Sequence, residues 1–78
     1  MMFPRQVLNS IKWRDDRDVS RCKVAYLHRG ARDDMIEVSG DEISEQGRSF
    51  FRVRGSMIPY HRILRISYDG DIVYRARR

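Results

Sequence analysis

The chain has 78 residues, 41% hydrophobic and 35% charged, with 16 Lys and Arg against 11 Asp and Glu for a formal net charge of +5. That length predicts a single domain, 1–78, whose thin core buries roughly two-thirds of the unfolded surface, and the clustered apolar residues exclude a disordered chain. The lone Cys22 excludes an intramolecular disulfide and a thiolate zinc cluster within one chain, no stretch nears the ~18 apolar residues of a membrane span, and Met1 to Gln6 lacks the apolar run of a signal peptide, so a cytoplasmic protein without membrane contact is expected.

Pro4 suits the first position of a helix, and Val7, Leu8 and Ile11 recur at helical spacing, which predicts a helix from Pro4 to Trp13. Arg14 to Asp18 has no apolar period and reads as a solvated loop. Cys22 to His28 reads as a strand, with Cys22, Val24, Tyr26 and His28 on one side and Ala25 and Leu27 on the other. Gly30 permits the turn that ends it, and Met35 to Ser39 makes a second strand with Ile36 and Val38 on one side. Asp41 to Gln46 is expected as a helical turn or loop anchored by Ile43 and closed by Gly47.

In the next strand Phe51 and Val53 share a face, while Arg48, Phe50, Arg52 and Arg54 alternate onto the other. That row suits a nucleic acid, since rings stack on bases while guanidinium groups neutralise the backbone. Arginine stems covering Phe50 on an ordinary exposed strand would give the same pattern. His61 to Tyr68 and Asp71 to Ala76 form a hairpin across Asp69-Gly70, a dipeptide that accommodates the positive φ angles of a tight turn. A two-residue loop predicts Ile66 opposite Val73, Leu64 opposite Arg75 and Arg62 opposite Arg77, with Arg62, Arg75 and Arg77 clustered; a longer loop would scatter them. The expected fold class is α+β: a mostly antiparallel sheet of about five strands with one N-terminal helix packed on one face.

Both histidines sit beside arginines, His28 before Arg29 and His61 before Arg62. A guanidinium fork matches phosphate oxygens two at a time, and an imidazole adds a donor or moves a proton. In a chain this rich in arginine such adjacency also arises by chance, but the bracket of Ile58 and Ile63 around Tyr60, His61 and Arg62 points to a fixed site. Two histidines and scattered carboxylates have no metal-ligand spacing, and no cofactor is expected.

The segment Ile58-Pro59-Tyr60-His61-Arg62-Ile63, with Tyr26 to Gly30, Val73-Tyr74-Arg75 and the N-terminal Val7-Leu8-Asn9 and Ile11-Lys12-Trp13, resembles a small, largely archaeal family of uncharacterised proteins related to the RNA cyclic-group end recognition domain. Similar domains in eukaryotes are fused to modules that include two-histidine phosphoesterases, and the family has been proposed to recognise RNA ends carrying a cyclic phosphate. The resemblance places Tyr26, Arg29, Pro59, His61, Arg62 and Arg75 at motif positions. Tyr74 departs from it where relatives carry tryptophan, a ring that can stack or pack equally well.

The leading expectation is a module that binds RNA 3′ ends or terminal, including 2′,3′-cyclic, phosphates. Arg29, Arg62 and Arg75 would hold phosphate, His28 or His61 would donate a hydrogen bond, and Tyr26 or Tyr60 would stack on the terminal base. RNA, with RNA-processing proteins beside it, is the expected partner. An enzymatic alternative is a cyclic phosphodiesterase or ribonuclease with His28 and His61 as general base and acid; the chain lacks the His-x-Thr pairs of two-histidine phosphoesterases, and no catalytic residue is assigned. The third alternative is a non-catalytic adaptor that meets a protein at a sheet edge.

Overall fold

The computed structural model describes residues 4–12, 18–30 and 32–76. Trp13 and the charged residues up to Arg17, which the sequence reading placed at a helix end and in a loop, lie outside them, as does Arg77. The described residues form one helix, α1 (Pro4–Lys12), and seven strands. The strands are β1 (Cys22–Leu27), β2 (Met35–Ser39), β3 (Ile43–Gln46), β4 (Phe50–Val53), β5 (Ser56–Pro59), β6 (Ile63–Tyr68) and β7 (Asp71–Arg75). Among these residues no helix is long and apolar enough to cross a membrane.

The strands make two antiparallel sheets, one ordered β2-β1-β6-β7 and one ordered β3-β4-β5. The expected single sheet of about five strands is therefore too small by β3 and β5. Each sheet buries one face in a shared core. The larger sheet contributes Cys22, Val24, Tyr26, Val38, Ile63 and Ile66. The smaller contributes Ile43, Phe51, Val53 and Ile58. The helix adds Val7, Leu8 and Ile11, one stripe at helical spacing, and lies against β6, β7 and the turn before β6. Because both inner faces meet in this core, the outer faces of the two sheets point away from each other.

Short 3-10 turns join the strands. In the one before β1, Val19–Arg21, the Asp18 carboxylate accepts from the Ser20 N–H (3.0 Å) and hydroxyl (2.7 Å), which holds its pKa below the ordinary value. In the one before β3, Gly40–Glu42, the Glu42 carboxylate reaches back to the Ser39 N–H at 2.8 Å. Gly40 approaches the first turn so closely that a Cβ there would lie 2.6 Å from the Val19 carbonyl oxygen.

Three of the sequence expectations are corrected here. Of Asp41 to Gln46, expected as a helical turn or loop, Asp41 and Glu42 end a 3-10 turn but the other four residues form β3. His61 and Arg62 lie in a 3-10 turn, Tyr60–Arg62, so that β6 starts only at Ile63. The β6–β7 hairpin has its two-residue loop, with Tyr68 opposite Asp71 and Ser67 opposite Ile72, but a bulge at Val73 then shifts the pairing to Ile66 with Tyr74 and Arg65 with Arg75. Neither Ile66–Val73 nor Leu64–Arg75 is a pair, and the Ala76 N–H donates to the Leu64 carbonyl at 2.8 Å. The bulge turns Tyr74 inward onto the core and leaves Ile72 and Val73 exposed.

Candidate functional site

The two His-Arg segments leave the sheets at neighbouring points. β1 ends at Leu27, the His28 N–H donates to the Asp34 carbonyl at 2.8 Å, and Arg29 leads into a turn at Gly30, whose φ of 89° suits glycine. The second segment runs from β5 through the Tyr60–Arg62 turn into β6, and the Ile63 N–H closes that turn onto the Tyr60 carbonyl. Ile58, Tyr60 and Ile63 are buried at 4%, 7% and 1% exposure, while His61 and Arg62 between them are exposed. The apolar bracket is an anchor that holds the two polar side chains outward.

A concavity of about 530 Å³ lies between the segments, lined by Leu27, Arg29, His61 and Arg62. Leu27 alternates with the buried Tyr26, so its side chain belongs to the outer face of the larger sheet, and the concavity opens there. Leu27 was missed as a site residue, although its alternation with Tyr26 and its place two residues before Arg29 were visible in the sequence. Among the described residues the ion pairs are Arg21 with Asp69 (3.4 Å), Arg54 with Glu42 (2.8 Å) and Arg65 with Glu37 (3.1 Å). Neither Arg29 nor Arg62 enters one of these, so both guanidinium groups line the concavity with no carboxylate among the described residues to neutralise them. Two cations beside an imidazole and a leucine can bind an anionic group attached to a sugar or ring.

The other expected site residues are placed differently. His28 does not line the concavity. It is exposed, with its ring edge-on to Tyr26 at 6.4 Å. Tyr26 and Tyr60 are core residues, at 4% and 7% exposure, packed on either side of Phe51 with ring centroids 5.9 and 5.7 Å away. Burial raises the pKa of both phenols, and the Tyr60 hydroxyl donates to the Gly47 carbonyl at 2.8 Å. Their expected stacking on a terminal base is thus corrected: neither ring has a free face. At the concavity, the surfaces able to stack are the His61 ring and the guanidinium planes.

Arg75 is exposed on β7, opposite Arg65, and is not among the residues that line the concavity. The row Arg48, Phe50, Arg52 and Arg54 is also corrected, because β4 covers only Phe50 to Val53. Arg48 precedes the strand, and Arg54 occupies a turn with Gly55, at φ 51° and 79°, where it pairs with Glu42. Phe50 has its ring over Gly47, within 3.5 Å of where a Cβ would stand, and Arg52 sits between Glu45 and Met57 on neighbouring strands. Phe50 and Arg52 share the outer face of the smaller sheet, and none of the row lines the concavity, although the bond from the Tyr60 N–H to the Ser49 carbonyl sets its Arg48–Phe50 end beside the Tyr60–Arg62 turn. Among the described residues, no three His, Cys, Asp or Glu side chains gather as a metal site would require.

Comparison with known proteins points to one family over nearly the whole chain. Residues 1–76 match the MJ1316 RNA cyclic group end recognition domain. A UPF0248 protein of Archaeoglobus fulgidus is 35% identical over 69 residues, covering 87% of this chain and 97% of that protein. UPF0248 protein MJ1316 of Methanocaldococcus jannaschii is 32% identical over 75 residues, covering 94% and 92%. A UPF0248 protein of Thermococcus onnurineus, 32% identical over 75 residues, covers 95% and 85%. No solved structure matches the chain. With a match this long, and with archaeal relatives aligned over nearly their full length, the chain belongs to the family of the MJ1316 RNA cyclic group end recognition domain.

Proposed function

We propose that the protein binds RNA ends by holding the terminal phosphate, including a 2′,3′-cyclic one, between Arg29 and Arg62. The observation that carries this reading is the convergence of Arg29, His61 and Arg62, from two segments far apart in sequence, on one concavity. Neither guanidinium has an internal carboxylate among the described residues. The name of the matching domain supports RNA ends as the ligand class. In this arrangement the two forks take phosphate oxygens, His61 donates a further hydrogen bond, and Leu27 packs against the ribose or base. The concavity offers one imidazole, whereas acid-base cleavage by a histidine pair requires two; binding is therefore the better-supported reading.

The test is fluorescence anisotropy with one RNA sequence ending in a 2′,3′-cyclic phosphate, a 3′-phosphate or a 3′-hydroxyl. The phosphorylated ends are expected to bind about tenfold more tightly, and Arg62→Ala to remove most of that difference, since a charged hydrogen-bonded contact contributes about 1.5 to 3 kcal/mol. A difference below twofold between the ends sinks the reading. Loss of affinity that Arg17→Ala reproduces would reduce it to unspecific charge attraction.

A further inference from the structure

The concavity leaves two cations of the outer face without an ion pair among the described residues, Lys23 in β1 and Arg75 in β7, and of these Arg75 also faces another cation across the sheet. Arg65 and Arg75 stand directly opposite each other across β6 and β7, a like-charge pairing that destabilises a sheet unless something neutralises it. Glu37 answers only half of that charge. It reaches Arg65 at 3.1 Å across the top of Ala25, which is 1% exposed in the strand between them, whereas Arg75 enters no ion pair among the described residues. The row from Glu37 through Ala25 and Arg65 to Arg75 lies on the same side of the sheet as Leu27, because Ala25 and Leu27 alternate with Tyr26. Ala25 and Leu27 are two residues apart, so this row runs beside the mouth of the concavity at a spacing of about 6.7 Å.

We infer that the outer face of the four-stranded sheet is the track for the RNA segment that precedes the terminal nucleotide, and that Arg75 holds a phosphate of that segment. The inference rests on the reading of the concavity as the site of the terminal phosphate and extends it to a second contact. A strand whose end lies between Arg29 and Arg62 crosses the Arg65–Arg75 row next, and the excess positive charge there is the counterpart of a backbone phosphate. The Arg65–Glu37 bridge covers Ala25 and gives the strand a polar floor. Arg52, on the outer face of the smaller sheet, is not part of the track.

Two ligands separate the contacts: adenosine 2′,3′-cyclic monophosphate, which reaches only the concavity, and a tetra-adenylate with the same cyclic end. Binding of each is measured by calorimetry over a series of salt concentrations. The tetranucleotide is expected to bind more tightly and with a steeper salt dependence, the logarithmic slope growing by ~0.7 for each added phosphate contact. Arg75→Ala should weaken the tetranucleotide roughly two- to fivefold and lower its slope by ~0.7, leave the mononucleotide unchanged, and be rescued by Arg75→Lys. Removing one member of a like-charge pair should not lower the thermal midpoint, so a loss of binding will not reflect unfolding.

An equal loss for both ligands would put Arg75 in the concavity and overturn the inference, as would no loss for either. A slope lowered by Arg52→Ala instead would move the track to the other sheet and overturn it as well. All three leave the terminal site standing. Failure of Arg62→Ala to weaken the mononucleotide removes that site and the track with it.

Discussion

Tyr60 lies between the two residues that frame the most suggestive motif, yet its ring is core. The backbone turn from Tyr60 to Arg62 directs the tyrosine inward and the next two side chains outward, so adjacent residues do opposite work. Its hydroxyl donates to the Gly47 carbonyl, and its N–H to the Ser49 carbonyl at 3.3 Å, tying the turn to the connection between β3 and β4. Tyr60→Phe should therefore cost about 1 kcal/mol of stability by urea unfolding, the usual value of one such hydrogen bond, and leave RNA-end affinity unchanged. A marked loss of affinity without loss of stability would return Tyr60 to the ligand. The sequence could not separate these roles, because a tyrosine beside His-Arg is equally suited to packing on Phe51 and to stacking on a base.

Among the elements, the legible ones carry repeated burial or a turn with distinctive chemistry. α1 shows three buried residues at helical spacing, the core residues Cys22, Val24 and Tyr26 of β1 recur at every second position, Val38 of β2 has the partly buried Ile36 two residues before it, and Asp69-Gly70 announces its hairpin. β3 and β5 each bury a single side chain, Ile43 and Ile58, and one buried residue has no period to read. The β4–β5 turn has the same backbone as the later one, with positive φ at both Arg54 and Gly55, but Arg-Gly lacks the asparagine or aspartate that marks such turns. Bulges are silent too: the extra residue at Val73 moved Arg75 from Leu64 to Arg65 and so moved its proposed role from the concavity to the neighbouring row. Both hairpins depend on their glycines. Gly55→Ala and Gly70→Ala, at φ 79° and 88° with open space around the missing Cβ, should each lower stability by about 1 to 2 kcal/mol in urea titrations, from backbone strain alone. A neutral result at either would mean that the turn relaxes to another type.

At the scale of the molecule, the shared core sets how stability responds to pH from both sides. Burial pushes the Cys22 thiol up to about 11 and raises Tyr26 and Tyr60, so the folded protein keeps protons that the unfolded chain releases. For each such group the contribution to stability is complete below its unfolded pKa and disappears as pH rises through the folded one. Cys22 therefore governs the interval from pH 9.0 to about 11, ahead of the phenols. On the acid side Glu42 works in reverse: the Ser39 N–H and Arg54 hold its carboxyl below the ordinary value, so its contribution is present above that value and fades as pH falls through the folded pKa. Urea midpoints measured from pH 3 to 11 should form a plateau with two shoulders. Cys22→Ala should lower the plateau by its lost packing but flatten the fall that begins near pH 9, whereas Glu42→Gln should lower the plateau by the contribution it removes and flatten part of the acid shoulder, the rest belonging to Asp18. If the alkaline fall keeps its slope in Cys22→Ala, the phenols alone cause it, and the thiol is reached by solvent before the core opens.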